Sequence, residues 1–353
     1  MTAIQIALQI LTWLLIVMVV LPFVRSDYWI FRILEYPRYQ KFIFCCIVLL
    51  AGFIVFDYSD NFQMAGLGGL FLSSAYLAYK IWPYTPLARR EMKSVKTDNQ
   101  ANQLKLLAAN VLQDNRNYEV LINQIRANNP DVVMLVETDQ QWEKAVDVII
   151  KDYPHCLKEP LDNTYGLLLY SKLQIQEGSI KYLVENDVPS AELTVLLPSG
   201  QPVKIWGLHP KPPVPGEDSH STAKDKELMK VALKTQKTDL PVIVMGDLND
   251  VAWSHVTELF RKTSELLDPR RGRGFYSTFS ANYWFMRFPL DYIFCSSDFG
   301  LIRMKRLPKN GSDHFPMFIH LEFQPHLEKQ QETPSADQSE KEEAIEKAST
   351  KVD

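Results

Sequence analysis

Apolar residues fall along this chain in three regimes. Up to about residue 84 they form long, nearly uninterrupted runs; from Leu104 to Phe323 they form short runs bounded by polar clusters; from His326 onward large apolar residues are scarce. The first pattern predicts membrane-spanning helices, the second alternating strands and helices, and the third a segment with too little apolar surface to build a core.

Three spans are predicted in the first regime. Met1 to Val24 carries no charged residue, and "IALQILTWLLIVMVVLPF" is long enough to cross a hydrocarbon core of about 30 Å. A cleaved signal peptide is the competing reading, but a basic leader and a small-x-small cleavage site are both missing, so a retained helix is expected. Phe42 to Phe56 is short for a span and crosses only if Lys41 snorkels and the bilayer adapts. Asn61 to Tyr79 extends through Ile81 and Trp82 if Lys80 snorkels, with an aromatic end at Trp82 and Tyr84. Residues 1–84 are thus expected to form an anchor of about three transmembrane helices.

Lysine and arginine placement predicts its orientation. The first connection holds Arg25, Arg32, Arg38 and Lys41, the second holds none, and Arg89, Arg90, Lys93 and Lys96 follow the third span. Three spans then place the N-terminus outside and the soluble domain on the cytoplasmic side; if the short second segment fails to cross, the domain lies on the other side. Cys45 and Cys46 sit in the second apolar segment, leaving Cys156 and Cys295 in the soluble part, with neither a disulfide framework nor metal-type spacing.

Residues 85–103 are polar and basic and read as a juxtamembrane linker. Residues 104–323 alternate between strand candidates ("LKLLAANV", "PDVVMLVETD", "YGLLLYSK", "AELTVLLP", "QPVKIWGLH", "PVIVMGDLN", "LDYIFCS", "PMFIHLEF") and helix candidates ("YEVLINQIRANN", "STAKDKELMKVALKTQ", "SHVTELFRKT"), which predicts a mixed α/β domain. Residues 324–353 are expected to be a disordered or marginally helical charged tail. From His326 on, the tail carries eight acids and four bases; this net −4 equals that of the whole chain, so everything before it is formally neutral. A nucleic-acid binder that neutralises phosphates usually shows a basic excess. The only dense basic cluster is "DPRRGRGF", with Arg270, Arg271 and Arg273, either a solvated glycine-rich loop or a phosphate-contacting one.

The chemical signal lies at the strand ends. Asn110 ends the first strand, Glu137 follows "VVMLV", His209 follows "VKIWGL", and Asp247 and Asn249 follow "VIVM"; Asp291 opens "LDYIF", and Asp313 and His314 precede "FPMFIHLEF". Strand ends in a layered sheet converge on one edge, where loops build sites. Singly, each has a plainer reading: a helix cap or turn residue for Glu137, Asp313 and Asn110, a loop histidine for His209, a surface ion pair with Arg287 for Asp291.

Taken in order, "VETD", "GLHP", "GDLND", "LDYIF" and "GSDHFPM", with Asn110 ahead of them, resemble the endonuclease/exonuclease/phosphatase superfamily, whose members include DNase I-like nucleases, apurinic endonucleases, inositol polyphosphate phosphatases and neutral sphingomyelinases. "HPKPP" and "DPRRGRGF" are similar to its bacterial membrane-anchored branch. The resemblance implies a four-layer sandwich of two packed mixed β-sheets flanked by helices, here preceded by the transmembrane region, in a bacterial inner membrane. It implies hydrolysis of phosphate esters with Mg2+, or Mn2+, as cofactor. One departure stands out: the acid that many nucleases of the superfamily carry two positions after the first-strand Asn is Leu112 here, and Asp114 is given no role.

Phosphate-ester hydrolysis must bring water to an anionic phosphorus and stabilise charge on the leaving oxygen, tasks suited to a hard cation and positioned donors. Magnesium keeps several waters, so one or two carboxylates suffice. Glu137 is the expected metal ligand, assisted by Asp313 and Asn110. The resemblance further implies that Asp247 orients or deprotonates the water, that Asn249 and His209 donate to phosphate oxygens with Asn110 nearby, and that His314, oriented by Asp291, is a second phosphate contact or acid/base group.

Substrate is expected to be nucleic acid, with phospholipid or its headgroup as the alternative and a catalytically inactive tethered module as a third reading. The aromatic stretch "NYWFMRFP" (Asn282 to Pro289) is expected to pack as core, the alternatives being contact with lipid or stacking on a base.

Overall fold

The computed structural model describes residues 2–96 and 98–352. Met1, Thr97 and Asp353, in the expected anchor, linker and tail, lie outside the described residues. Four helices come first: α1 (Ala3–Val20), the short α2 (Trp29–Ile33), α3 (Arg38–Val55) and α4 (Asn61–Ile81). The strands are β1 (Gln103–Asn110), β2 (Val132–Val136), β3 (His155–Glu159), β4 (Leu167–Ser171), β5 (Ile175–Lys181), β6 (Ser190–Leu196), β7 (Pro202–Leu208), β8 (Val242–Asp247), β9 (Asp291–Cys295), β10 (Phe299–Arg306) and β11 (Met317–Phe323). Helices α5 (Tyr118–Asn128), α6 (Gln140–Val146), α7 (Thr222–Thr235), α8 (His255–Ser264) and α9 (Gln338–Ser349) complete the order.

The strands form a six-stranded sheet, β10-β11-β1-β2-β4-β3, and a five-stranded sheet, β5-β6-β7-β8-β9. Each is mixed and contains one parallel pair, β1 with β2 and β7 with β8. Parallel neighbours need a crossover, and helices α5 and α7 supply them. The central strands are apolar on both faces because both faces are covered. Leu106, Met134, Ile205, Ile243 and Ile319 fill the space between the sheets; Leu107, Val133 and Leu135 pack under α5 and α6; Trp206, Val244 and Phe294 pack under α7 and α8. This is the four-layer sandwich expected from the sequence.

The three strands absent from the expected set, β3, β5 and β10, are all sheet edges. Their residues are half-exposed over much of their length, so neither an unbroken apolar run nor a strict alternation marks them.

Among the described residues, two helical segments are long and apolar enough to cross a membrane, Ala3–Phe23 and Arg38–Val55. The third expected span folds as α4 but falls outside that pair, because it uses small and polar residues where it packs: Gln63, Gly66, Ser73 and Ser74 are all buried, with Gly66 against Gln9 and Thr12 of α1. Helices α1, α3 and α4 enclose an apolar core of their own, including Leu15, Cys45 and Leu70, while Ile4, Phe44, Ile54 and Leu72 remain outward and exposed.

The tail corrects an expectation. Rather than being disordered, it carries α9, opened by a capping box between Asp337 and Glu340. Ala344 is fully buried in the cluster formed with α7 and α8. Around it, Lys347 reaches Asp225 at 2.9 Å, Glu343 meets His255 at 2.7 Å and Glu340 meets Lys262 at 2.5 Å. A helix this poor in large apolar residues holds its place because its charges find opposite partners on the sandwich.

Candidate active site

The parallel pairs place the site. At the carboxyl end of the first, Asn110 lies beside Val136, so Glu137 leaves the sheet next to Asn110. At the end of the second, Leu208 lies beside Gly246, bringing His209 and Asp247 out together. Antiparallel β9 starts where β8 ends, with Asp291 opposite Asp247. The loop before β11 brings Asp313 and His314 to the same edge. Gly246 is required for close approach: its φ is +133°, and a Cβ there would lie 2.0 Å from the Leu208 carbonyl oxygen.

Asn110 bridges the sheets. Its Nδ2 donates to Glu137 Oε1 at 2.6 Å and to Asp247 Oδ2 at 3.1 Å, while its Oδ1 accepts from the Leu112 N–H at 3.0 Å. Leu112, the position where related nucleases hold an acid, thus serves through its backbone, and Asp114 is exposed. Asp247 Oδ1 accepts the Asn249 N–H at 2.9 Å, and Asn249 Nδ2 donates to the Pro210 carbonyl at 2.9 Å. His314 Nδ1 meets Asp291 Oδ2 at 2.8 Å, and its Nε2 lies 3.5 Å from Asp247 Oδ2. His209 Nε2 lies 4.0 Å from the same oxygen. All eight residues singled out in the sequence therefore reach one edge, and Asp291 pairs with His314 rather than with Arg287.

Burial sets the charges of these groups. Asp247 is fully buried, which raises its pKa against the pull of His314. Burial likewise pushes Glu137 up to about 7, although the Asn110 hydrogen bond and His314 oppose it. Burial alone would lower His314, but the carboxylates of Asp291 and then Asp247 outweigh it and lift the imidazole to about 10. His209, whose Nδ1 is buried without a hydrogen-bond partner, is lowered to about 4 by burial. At neutral pH the edge therefore pairs an imidazolium at His314 with a neutral imidazole at His209.

The donor set suits a hard cation. Asp247, Asp291 and His314 offer ligand atoms within 4.8 Å of one another. His314 is committed to Asp291 and held protonated, and an imidazolium has no lone pair to give. Glu137 is better disposed: it is half-buried, and Asn110 donates to only one of its carboxylate oxygens. Asp313, also half-buried, lies 3.5 Å through its Oδ1 from the Ser312 hydroxyl. Buried carboxylates raised in pKa and short of counter-charge are oxygen ligands in search of a cation.

Several neighbours carried no local signal. Ser312 Oγ donates to the Asn110 carbonyl at 2.9 Å and accepts the His314 N–H at 3.0 Å, tying the two sheets' loops together. Thr278 Oγ1 accepts the Asp291 N–H at 3.2 Å. Tyr165 lies over His209 with ring centroids 5.3 Å apart, and Phe279 over His314 at 5.0 Å. Tyr36, from the connection between α1 and α3, donates its hydroxyl to the Asn249 carbonyl at 2.7 Å. Only Ser312 stands inside a motif, in "GSDHF"; the others are recognisable only once the chain has folded.

The arginine cluster is a second correction, since neither expected reading describes it. Arg270 is buried, bound to Asp268 at 2.7 Å and stacked 4.1 Å over Tyr292; Arg271 meets Glu258 at 2.7 Å; Arg273 donates to the Met92 carbonyl at 2.5 Å. The loop is an internal brace. The aromatic stretch is corrected in part: Phe288 packs as core, but Tyr283, Trp284, Phe285 and Met286 are exposed.

The family model described as the endonuclease/exonuclease/phosphatase family matches residues 101–314. No curated protein matches the chain by sequence. Similar solved structures include an endonuclease/exonuclease/phosphatase from Beutenbergia cavernae (17% identity, 63% of this chain and 72% of that one, TM-score 0.52). Others are D. rerio TDP2 complexed with a single-strand DNA product (18%, 62% and 98%, 0.53) and the human nocturnin catalytic domain with bound sulfate (18%, 64% and 96%, 0.52). At these identities the likeness is one of fold.

Proposed function

We propose that this chain, which belongs to the endonuclease/exonuclease/phosphatase family, is a membrane-anchored, divalent-metal-dependent phosphoesterase. The observation that carries this reading is the Asp247 carboxylate, buried at the meeting of the two sheets and ringed by Asn110, Asn249, His209 and His314.

Asp247 takes a proton from the attacking water as a P–O ester bond breaks. The His314 imidazolium, steadied by Asp291, supplies positive charge and a proton donor for the departing oxygen. His209, neutral, and Asn249 orient phosphate oxygens through N–H donors. Glu137, with Asp313, would hold the divalent cation, which when bound polarises the phosphoryl group and stabilises the leaving oxygen. Asn110 spends its amide nitrogen on two carboxylates and so fixes their geometry in preference to binding metal through its oxygen.

The anchor reading is supported by which ends meet. The first connection docks on the sandwich: the Trp29 N–H donates to the Ser219 carbonyl at 2.9 Å, Arg32 pairs with Asp225 at 3.0 Å and Arg38 donates to the Trp253 carbonyl at 2.5 Å. A connection and a domain on one side of a bilayer are what three crossings require, and the arginines of the connection favour the cytoplasmic side of a bacterial inner membrane. Nucleic acid loses its main sequence support, because Arg270, Arg271 and Arg273 are spent internally. Phosphate esters presented at the bilayer surface fit better.

The test uses the full chain in detergent with magnesium or chelator, on duplex DNA and on phospholipid vesicles. Magnesium-dependent phosphate-ester cleavage lost in Asp247→Asn is expected. Hydrolysis of neither substrate, or equal hydrolysis by the variant, overturns the reading.

A further inference from the structure

Where α3 leaves the sandwich it forms one wall of an apolar groove of about 1080 Å³. Tyr39, Ile43 and Phe44 line that wall, the loop residues Trp284, Phe285 and Met286 the other, and Phe275 and Phe288 the floor. A bond of 3.0 Å from Gln40 Nε2 to the Phe285 carbonyl ties the walls together. The walls are open: Trp284 is 79% exposed and Phe44 58%. Leaving four large side chains in a row outside any core costs stability unless something apolar covers them.

Two observations identify the cover. The apolar wall continues into the outward face of α3, where Ile47 and Leu50 are also exposed, so the groove opens sideways onto the surface that the anchor presents to lipid. Its other end is cationic. Arg287 and Arg306 line it, both with guanidinium groups against the Phe315 ring, at 5.2 and 4.3 Å. Arg306 donates to the Ser277 carbonyl at 2.6 Å, whereas the buried Nε of Arg287 has no partner, and among the described residues neither arginine forms an ion pair with a carboxylate. Unpaired guanidinium groups at the polar end of an apolar trough match an amphiphile with an anionic phosphate. The chain's own tail is accounted for, since α9 is docked on α7 and α8.

We propose that this groove binds an anionic glycerophospholipid of the surrounding bilayer, its phosphodiester held by Arg287 and Arg306 and an acyl chain lying along Ile43, Phe44 and Trp284. The inference rests on the membrane-anchored reading. The groove is distinct from the catalytic edge but adjoins it: the floor residue Phe288 stacks 6.3 Å from Phe279, which lies 5.0 Å from His314. A lipid seated there enters laterally, without leaving the bilayer, and stops one aromatic layer short of the reacting groups.

The full chain in nanodiscs of phosphatidylcholine, with or without phosphatidylglycerol, tests this. Brominated acyl chains are placed on one lipid at a time. The emission of Trp284, obtained by difference from Trp284→Phe, is expected to be quenched more by brominated phosphatidylglycerol than by brominated phosphatidylcholine at equal bromine content. Arg287→Gln/Arg306→Gln is expected to abolish that preference while magnesium-dependent hydrolysis of a soluble phosphodiester continues. Equal quenching by the two lipids, or a preference unchanged in the double variant, overturns the proposal. Trp13 in α1 separates the two readings: Trp13 quenched with Trp284 silent refutes the groove alone, and both silent refutes the anchor as well.

Discussion

Two clusters of buried charge lie on this sandwich, and they are built in opposite ways. At the joint between the N-terminal helices and the sandwich, Asp225 is surrounded by cations, with Arg32 at 3.0 Å, Lys347 at 2.9 Å and Lys224 at 3.4 Å. Burial alone would raise its pKa, but Lys224, Arg32 and Lys347 overcome that and hold it well below the usual carboxylate range. At the site, Asp247 is equally buried, yet its neighbours include further carboxylates, and its pKa is raised. The first cluster is complete as it stands and fastens two parts of the chain; the second sets Glu137, Asp247, Asp291 and Asp313 against the single imidazolium of His314 and is short of positive charge. Perturbation by burial is common to both, so its presence does not separate a functional cluster from a structural one; the balance of charge around the carboxylate does.

Exchanging the clusters' fates by mutation breaks the comparison at its strongest point. Asp247→Asn is expected to reduce phosphodiester turnover by roughly 10²–10⁴-fold with the melting midpoint unchanged or higher, since a neutral amide relieves the repulsion. A fall in stability with turnover intact would make the site cluster structural. Asp225→Ala should do the reverse, costing about 3–5 kcal/mol of stability by stranding buried cations, with turnover per folded molecule retained; thermal melts and active-site titration in the same detergent read both.

A finer test asks whether the missing charge is a metal. Glu137→Gln is expected to shift the magnesium dependence of turnover upward by roughly ten-fold or more, since even residues behind the ligands are worth that much; an unmoved titration reassigns the ligand. Proton linkage gives a smaller signature. His314 is raised from its ordinary value to about 10, so the folded state binds its proton more tightly, and the stability this adds is full at acidic pH and lost as pH rises through about 10. Glu137, raised to about 7, acts in the same sense between its ordinary value and neutrality. The metal-free protein should therefore melt at lower temperature as pH climbs from 7 to 10, and His314→Asn should flatten that slope. The smallest effect concerns the bond joining the regions: Tyr36→Phe, which removes the donor to the Asn249 carbonyl, should cost about 1 kcal/mol and lower turnover modestly, whereas no change in either would uncouple the N-terminal helices from the site.

What could be read in the sequence follows from the range of the interactions involved. Asn110, Glu137, His209 and Asp247 were legible because each ends a strand whose apolar run marks it, and strand ends share an edge. Edge strands β3, β5 and β10 were not, since half-exposed residues carry no period. Arg270, Arg271 and Arg273 looked free because their partners Glu258 and Met92 lie far away in sequence or in another element, and only Asp268 is near. Helix α9 reads as disordered or only marginally helical by composition, because the partners that seat it belong to α7 and α8. Trp284 and Phe285 read as core in the sequence because apolar composition alone does not distinguish an interior residue from an exposed one.

The connection between α1 and α3 decides where this molecule can be cut. Trp253 donates its indole N–H to the Glu35 carbonyl at 2.8 Å, Arg38 donates to the Trp253 carbonyl at 2.5 Å, and Tyr36 packs its ring 5.7 Å from Phe288. A fragment that begins after the N-terminal helices would therefore open a raw surface beside Asn249 rather than a natural exterior. In engineering language, the transplantable unit begins at Asp27: a chimera that keeps residues 27–38 beside the sandwich behind a foreign helix preserves the working module, and one that joins a foreign helix at residue 98 does not.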